Sequence, residues 1–229
     1  LDKNIEWHLL GNHLIANAKG LIFFGTFFSD PHANLILKNG EKLLNQELDE
    51  QFLNDGGHFE RSPMYHSIIL EDLLDIIELN SIFPNKISKK LIKKIKNTTR
   101  VGINWLILLC HPDKNISFFN DSTHEIASHP SKIINFYNQF QKKISFKNFE
   151  SVKLSSSFLN DSKYFICKNK NFKAIIDLGS PSPKYQPGHS HAETFSFELS
   201  LFNQRVFVNT GISEYQISKR RLLERSTIA

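Results

Sequence analysis

A chain of 229 residues, 40% hydrophobic and 22% charged, is long and apolar enough to bury one large core or two modest ones. Its net charge of +5 favours polyanionic partners, nucleic acid or acidic polysaccharide, over basic ones. The longest apolar run, 101–110, is too short to span a membrane, and the two cysteines, Cys110 and Cys167, sit far apart in apolar surroundings, which reads as free buried thiols before a disulfide.

The first third is helical by periodicity. Apolar residues recur at three and four over 5–24, and Gly25 is a plausible stop. Asn12 and His13 interrupt that stripe. Adjacent residues lie about 100° apart on a helix, so at least one of the two borders the apolar face. A second helix is expected over 32–53, closed by Asn54-Asp55-Gly56-Gly57. Ser62-Pro63 opens a third, over 63–79, with Ser62 as N-cap and Pro63 in the first position. Tyr65 then stands in the first turn, where the partial positive charge of the helix end eases phenolate formation; it either acts as a base there or packs against its neighbours.

Two short helices are expected over 87–96 and 100–109, then a polar loop containing Phe118-Phe119-Asn120-Asp121-Ser122, then a helix over 131–142. Lys89, Lys90, Lys93, Lys94 and Lys96 alternate with Leu91, Ile92 and Ile95 at helical spacing, so a solvated helix face explains much of the positive charge. Short connections imply antiparallel helical hairpins. From about Ser151 the period changes to two, with strands over 156–159, 164–168 and 174–178 separated by turn residues. The order is helices first and antiparallel strands second, which divides the chain near 145–155.

The strands lead into Pro187-Gly-His-Ser-His-Ala-Glu-Thr-Phe-Ser-Phe-Glu-Leu199. It opens on a Pro-Gly turn and continues as alternation, predicting a half-buried strand with Phe195, Phe197 and Leu199 on one face and Thr194, Ser196 and Glu198 on the other. His189 and His191 are two apart, so both imidazoles project from one side, where they are either polar residues at a strand entrance or a pair able to share a metal or divide metal and proton work. A turn at Phe202-Asn203-Gln204 returns the chain along 204–208 to Asn209-Thr210-Gly211, bringing an Asn209 oxygen toward the histidine pair.

Taken together, 11–21 (GNHLIANAKGL), 59–66 (FERSPMYH), 187–199 and 205–211 (RVFVNTG) resemble the heparinase II/III-like polysaccharide lyases, and 220–229 resembles the segment that precedes a His-Asn-Thr motif in that family. The resemblance implies a multidomain fold, α then β: a partial α/α toroid of helical hairpins over 1–148 followed by part of an antiparallel β-sandwich over 149–229, with the active site between them. It also implies that the chain is a piece of a longer protein.

The chemistry it implies is β-elimination at a uronic acid. The C5 proton beside a carboxylate is weakly acidic, so the developing charge must be neutralised while a base removes the proton. By resemblance, Asn12 neutralises the substrate carboxylate, Tyr65 protonates the departing 4-oxygen and for some substrates is the base, His13 is a second candidate base, and His189 assists in neutralisation or proton transfer. Glu60, Arg61 and His66 are expected to bind substrate. His191 matches a structural zinc ligand, with Asn209 standing where the family often has Asp and the third ligand expected beyond Ala229. Glu193 stands where Asp is usual. The expected partner is an acidic polysaccharide, with no nucleic acid and no membrane span, and the expected location is periplasmic or secreted. Two rivals keep the same residues: a uronosyl C5-epimerase, and a non-catalytic glycan-binding or cell-surface assembly protein.

Overall fold

The computed structural model describes residues 4–141, 143–149, 153–181, 183, 185 and 187–226; the expectations at Lys142, Ser151 and 227–229 lie outside them. Helices come first: α1 (Asn12–Phe27), α2 (Pro31–Gln51), α3 (Pro63–Ile82), α4 (Lys89–Leu108) and α5 (Pro130–Phe140). A single antiparallel sheet follows in the order β1 (Ser155–Phe158), β2 (Tyr164–Lys168), β3 (Phe172–Asp177), β4 (Phe197–Leu201) and β5 (Gln204–Phe207), and a short α6 (Lys219–Glu224) ends it. Among the described residues no helix is long and apolar enough to cross a membrane.

The first helix begins later than periodicity suggests. Leu10 and Gly11 both adopt left-handed backbone, with φ of 58° and 56°, so residues 5–10 form a turn and the helix starts at Asn12. It also passes Gly25 and runs to Phe27, because Gly25 serves packing rather than termination: a Cβ there would sit 2.5 Å from Leu37 Cβ of α2. The same close approach recurs at Gly40, where a Cβ would fall 2.8 Å from Leu21 Cβ. α2 is capped by Asp30, whose carboxylate accepts from the His32 and Ala33 amides at 2.8 and 2.9 Å.

The two short helices expected over 87–109 are one. Nothing between Lys96 and Arg100 breaks a helix: Thr99 Oγ1 donates back to the Ile95 carbonyl at 2.8 Å, and Asn97 faces solvent beside Arg100. The continuous α4 lies against α3 and buries Ile95, Ile103, Leu106 and Ile107 with Leu70, Leu73, Leu74 and Ile77 of that helix. Burying each such side chain contributes about 1.5–3 kcal/mol.

The sheet sits on the same helix from the other side. Trp105 of α4 and Leu109 just after it join Phe119, Leu159, Tyr164, Ile166 and Ile175 in a second cluster, and Trp105 Nε1 donates to Ser162 Oγ at 2.9 Å. The helical and sheet regions therefore share a core. Asp55, in the turn after α2, fixes their spacing by accepting from the Ser162 amide at 2.7 Å and the Asp161 amide at 2.9 Å.

In β4 the alternation is right and the faces are reversed. Glu198 and Ser200 are buried, while Phe197 and Phe207 are exposed on the opposite face with ring centroids 5.8 Å apart. Glu198 is tolerated inside because it is fully partnered: His111 Nε2 lies 2.6 Å from one oxygen, and the Phe118 amide donates to the other at 2.5 Å. His111 Nδ1 meets Ser200 Oγ at 2.6 Å. Phe195, expected in the strand, occupies the preceding turn with φ of 71°. The hairpin is a two-residue turn at Phe202 and Asn203, φ 49° and 66°, both left-handed as a type I′ turn requires.

Two inward-facing groups of β3 titrate abnormally. Burial lowers the Lys173 ammonium to about 7, although it donates to the Cys110 and Ile107 carbonyls at the end of α4. Burial raises the Asp177 carboxyl to about 7 despite its hydrogen bond from the Gly179 amide. The native state thus holds a proton that the unfolded chain has released above about pH 4, and this residue's contribution to stability falls as pH rises from about 4 to about 7. Asp177→Asn should lack that dependence. Denaturant titrations at acidic and mildly alkaline pH should show the variant gaining on the parent by on the order of 1 kcal/mol at the higher pH; an unchanged difference would contradict the assignment. Both cysteines are free, and burial raises the Cys110 thiol to about 12.

Candidate active site

Three segments converge at the N-termini of α1 and α3. Gln51, at the end of α2, donates from Nε2 to the Gly11 carbonyl at 2.8 Å and holds the left-handed entry to α1. Asn12 then occupies the first helical position. Its backbone amide donates to Glu60 Oε1 at 3.2 Å, and its side-chain Nδ2 donates to the two Glu60 oxygens at 3.2 and 3.0 Å. A carboxylate at a helix N-terminus answers the unpaired amides and the dipole. Burial raises the Glu60 carboxyl, with His189 and Asn12 opposing. Glu60, expected to bind substrate, is almost fully buried with both oxygens turned to Asn12.

Ser62 caps α3 as the sequence predicts, accepting from the Tyr65 amide at 3.4 Å, and its hydroxyl is bound in turn by Ser122 Oγ at 2.8 Å. This ties the start of α3 to the loop after α4. Tyr65 lies in the first turn, with its ring centroid 3.9 Å from that of His189. The expectation of an eased phenolate is overturned. Burial, a hydrogen bond with Tyr215, and the negative charge of Asp121 and Glu60 push the phenol well above its ordinary range, outweighing the helix end. Tyr65 therefore keeps its proton at neutral pH in this setting.

His189 Nδ1 lies 3.1 Å from Asp121 Oδ2, and its Nε2 lies 3.5 Å from Asn12 Nδ2 and 4.0 Å from Glu60 Oε2. Asp121 is the hub of the site: it also meets His191 Nε2 at 2.7 Å and accepts from Arg221 Nη2 at 3.1 Å. Burial raises its carboxyl, but the hydrogen bonds from His189 and His191 prevail and hold it at about 2. The sequence marked this aspartate only as part of a polar loop, because a lone loop carboxylate has no periodicity and no spacing to betray it. Tyr215 and Arg221 were missed for the same reason. The Arg221 guanidinium lies 5.2 Å from the Tyr215 ring centroid, and the tail bearing both is pinned by Arg225, which donates to the Ser190 carbonyl at 2.7 Å.

Other expected site residues lie elsewhere. His66 is fully buried beneath the site, with Nδ1 accepting from the His58 amide at 3.2 Å and Nε2 2.9 Å from the Gly102 carbonyl. Burial lowers it to about 4, so it is a neutral core histidine and not a substrate contact. Arg61 turns away toward the sheet and donates to the Ser180 carbonyl at 2.8 Å. His13 pairs with Glu6 at 3.3 Å on the partly exposed side of α1.

The expected metal ligands each have other partners in this structure. His191 is flanked by carboxylates, Asp121 at 2.7 Å and Glu193 at 3.0 Å; burial lowers its affinity for a proton, but those two partners raise it overall. Asn209 is engaged instead with Ser196 Oγ at 3.3 Å and the Gly211 amide at 3.5 Å. Among the described residues no group of three or more His, Cys, Asp or Glu is arranged to hold a metal ion. Both ring nitrogens of His191 face carboxylates and the Asn209 side chain is bound to Ser196, so as arranged neither is free to hold zinc.

Comparison with known proteins agrees with this architecture. A family model described as Heparinase II/III N-terminus matches residues 2–148, and one described as Heparinase II/III-like, C-terminal matches residues 152–229. A heparin-sulfate lyase of Bacteroides stercoris is 24% identical over 234 residues, which cover 95% of this chain and 34% of the relative. Another, from Bacteroides thetaiotaomicron, is 28% identical over 120 residues, 49% of this chain and 17% of that protein. The chain thus spans about a third of the longer-matching relative. A crystal structure of heparinase III superposes with a TM-score of 0.73 at 17% identity, covering 96% of this chain and 38% of its own. The heparan sulfate lyase HepC from Pedobacter heparinus does so with 0.67 at 20%, covering 94% and 35%. At these identities the structures establish the fold alone. The two sequence families together account for nearly every residue, and the chain belongs to the heparinase II/III family.

Proposed function

We propose that this chain carries the reaction centre of a polysaccharide lyase that cleaves uronic-acid-containing glycans by β-elimination. The observation that supports it most is the meeting of an amide, an imidazole and a protonated phenol: Asn12 Nδ2 is 3.5 Å from His189 Nε2, and the Tyr65 ring lies against that imidazole. In this reading the Asn12 amide donates to the substrate carboxylate and lowers the cost of the enolate-like intermediate. With Nδ1 directed at Asp121, His189 Nε2 takes the C5 proton. The C4–O4 bond then breaks, a C4=C5 double bond forms, and Tyr65 donates its phenolic proton to the departing oxygen. No step passes through a metal.

The names of the relatives favour a heparan-type substrate, and a polymeric substrate fits a periplasmic or secreted enzyme. The helical half 1–148 and the sheet half 149–229 would each supply one side of the cleft. The whole natural protein should be incubated with heparan sulfate, alginate and polyglucuronate, and the new chain ends analysed by mass. An unsaturated terminal sugar is expected. Solvent deuterium at C5 with no new chain ends would show an epimerase instead, and binding with neither would leave a glycan-binding protein.

A further inference from the structure

At the far end of the helical layer, two adjoining grooves of about 440 and 330 Å³ share Asn85 and Lys89. They run between α2, the α3–α4 turn and the first two turns of α4. Lys38 and Lys86 line the first, Lys93 and Lys96 the second, and Lys89 stands between them. Lys89, Lys93 and Lys96 follow the i, i+4, i+7 rule, so their ammonium groups form a stripe about 10 Å long on one face of α4. Glu41 is the one carboxylate among the lining residues, and it is occupied: it accepts from the Ser88 amide at 2.6 Å.

The stripe is not neutralised internally. Lys19 pairs with Asp72 and Asp75 and Lys94 with Asp49, while among the described residues no carboxylate lies within ion-pair distance of Lys38, Lys89, Lys93 or Lys96. The positive end of the α4 dipole opens at the same place, and Ser88 offers it no side-chain cap. Asn34, Asn80 and Asn85 add side-chain amides able to bind hydroxyl, carboxylate or sulfate oxygens. No aromatic ring lines either groove, which removes the stacking platform that single-stranded nucleic acid uses.

Its position sets it apart from the reaction centre. Tyr65 is in the first turn of α3 and Asn80 in the last, so the two lie about 22 Å apart along the helix axis. A ligand of one or two sugars cannot touch both, whereas a long acidic chain can.

We propose that this double groove is a second binding site for acidic polysaccharide, an anchor that holds a long chain while another part of it occupies the reaction centre. The identity of the occupant rests on the lyase reading; the presence of a polyanion site does not. The test uses the whole natural protein carrying Tyr65→Phe to prevent turnover, with Lys89→Glu, Lys93→Glu and Lys96→Glu combined, and a Gln triple as the milder counterpart. Circular dichroism would establish that both remain folded. Binding is measured by calorimetry with long-chain heparin, a heparin tetrasaccharide and duplex DNA.

The Glu triple should weaken long-chain heparin by about tenfold or more, the Gln triple by less, and neither should change the tetrasaccharide. The loss should shrink as salt is raised. Equal binding of long-chain heparin by parent and Glu triple would overturn the proposal, and so would a groove that prefers DNA. Should the stripe bind long-chain heparin while the whole natural protein with Tyr65 in place cleaves no glycan, the lyase reading alone would fail.

Discussion

Replacing Tyr65 by Phe should lower the rate of elimination by about 10²–10⁴-fold while leaving substrate affinity within a few-fold, because general acid catalysis of a poor leaving group contributes on that scale. The substitution removes one oxygen from a side chain whose ring already packs on His189 with centroids 3.9 Å apart, so the fold and the imidazole should stay in place. The loss should therefore fall on kcat. The phenol is held far above its usual range by burial and by its hydrogen bond with Tyr215, which suits a donor that must keep its proton until the glycosidic oxygen departs. Tyr215→Phe should have a smaller effect, since it alters the strength of the acid and does not remove it. An unchanged kcat in Tyr65→Phe would exclude the tyrosine as the proton donor.

The largest loss of stability is expected at Asp121. Its carboxylate is buried and partnered by His189, His191 and Arg221, and its backbone amide donates to the His189 carbonyl at 3.1 Å. Asp121→Ala leaves an arginine and two imidazoles without their shared anion, a change that costs about 3–5 kcal/mol where such networks are buried. Denaturant unfolding reads this directly. The pH dependence has a definite sign: the folded carboxyl is held at about 2, below its value in the unfolded chain, so its contribution is complete above about pH 4 and is lost as pH falls through about 2. The Ala variant should be less sensitive to acid over that range than the parent, and activity should fall with the misplaced His189. A variant as stable as the parent would mean that the arginine and the two imidazoles are satisfied by other groups.

Much of the fold is legible in the residues because it depends on local signals. Ser62-Pro63 marks the start of α3, and period-two runs mark β1 to β3. The failures are tertiary. Leu10 and Gly11 adopt left-handed backbone because Gln51, some forty positions on, holds the Gly11 carbonyl, so the helix over 5–24 is cut at its front. The reversed faces of β4 follow from His111, a residue 87 positions away that makes a buried Glu198 tolerable. Alternation shows that two faces differ and does not show which one finds the partner.

The candidate site divides the same way. Asn12, Tyr65 and His189 come from motifs with family spacing, and the structure brings those three together. Asp121 has no such signature; what makes it central is that a loop after α4 is carried under the histidines by the Ser62–Ser122 contact. His66 was misjudged because a histidine next to a motif tyrosine is indistinguishable, in one dimension, from a ligand-facing one. Only the depth of its burial decides between them.

Proton transfer from Tyr65 in an elimination reaction is read most directly by one progress curve. The whole natural protein and its Tyr65→Phe variant, matched for folding by circular dichroism, should be mixed with heparan sulfate and followed by the ultraviolet absorbance of the C4=C5 double bond. A steady rise is expected for the parent and a rate at least about a hundredfold lower for the variant. Equal rises in both, or cleavage that yields saturated ends, would contradict it.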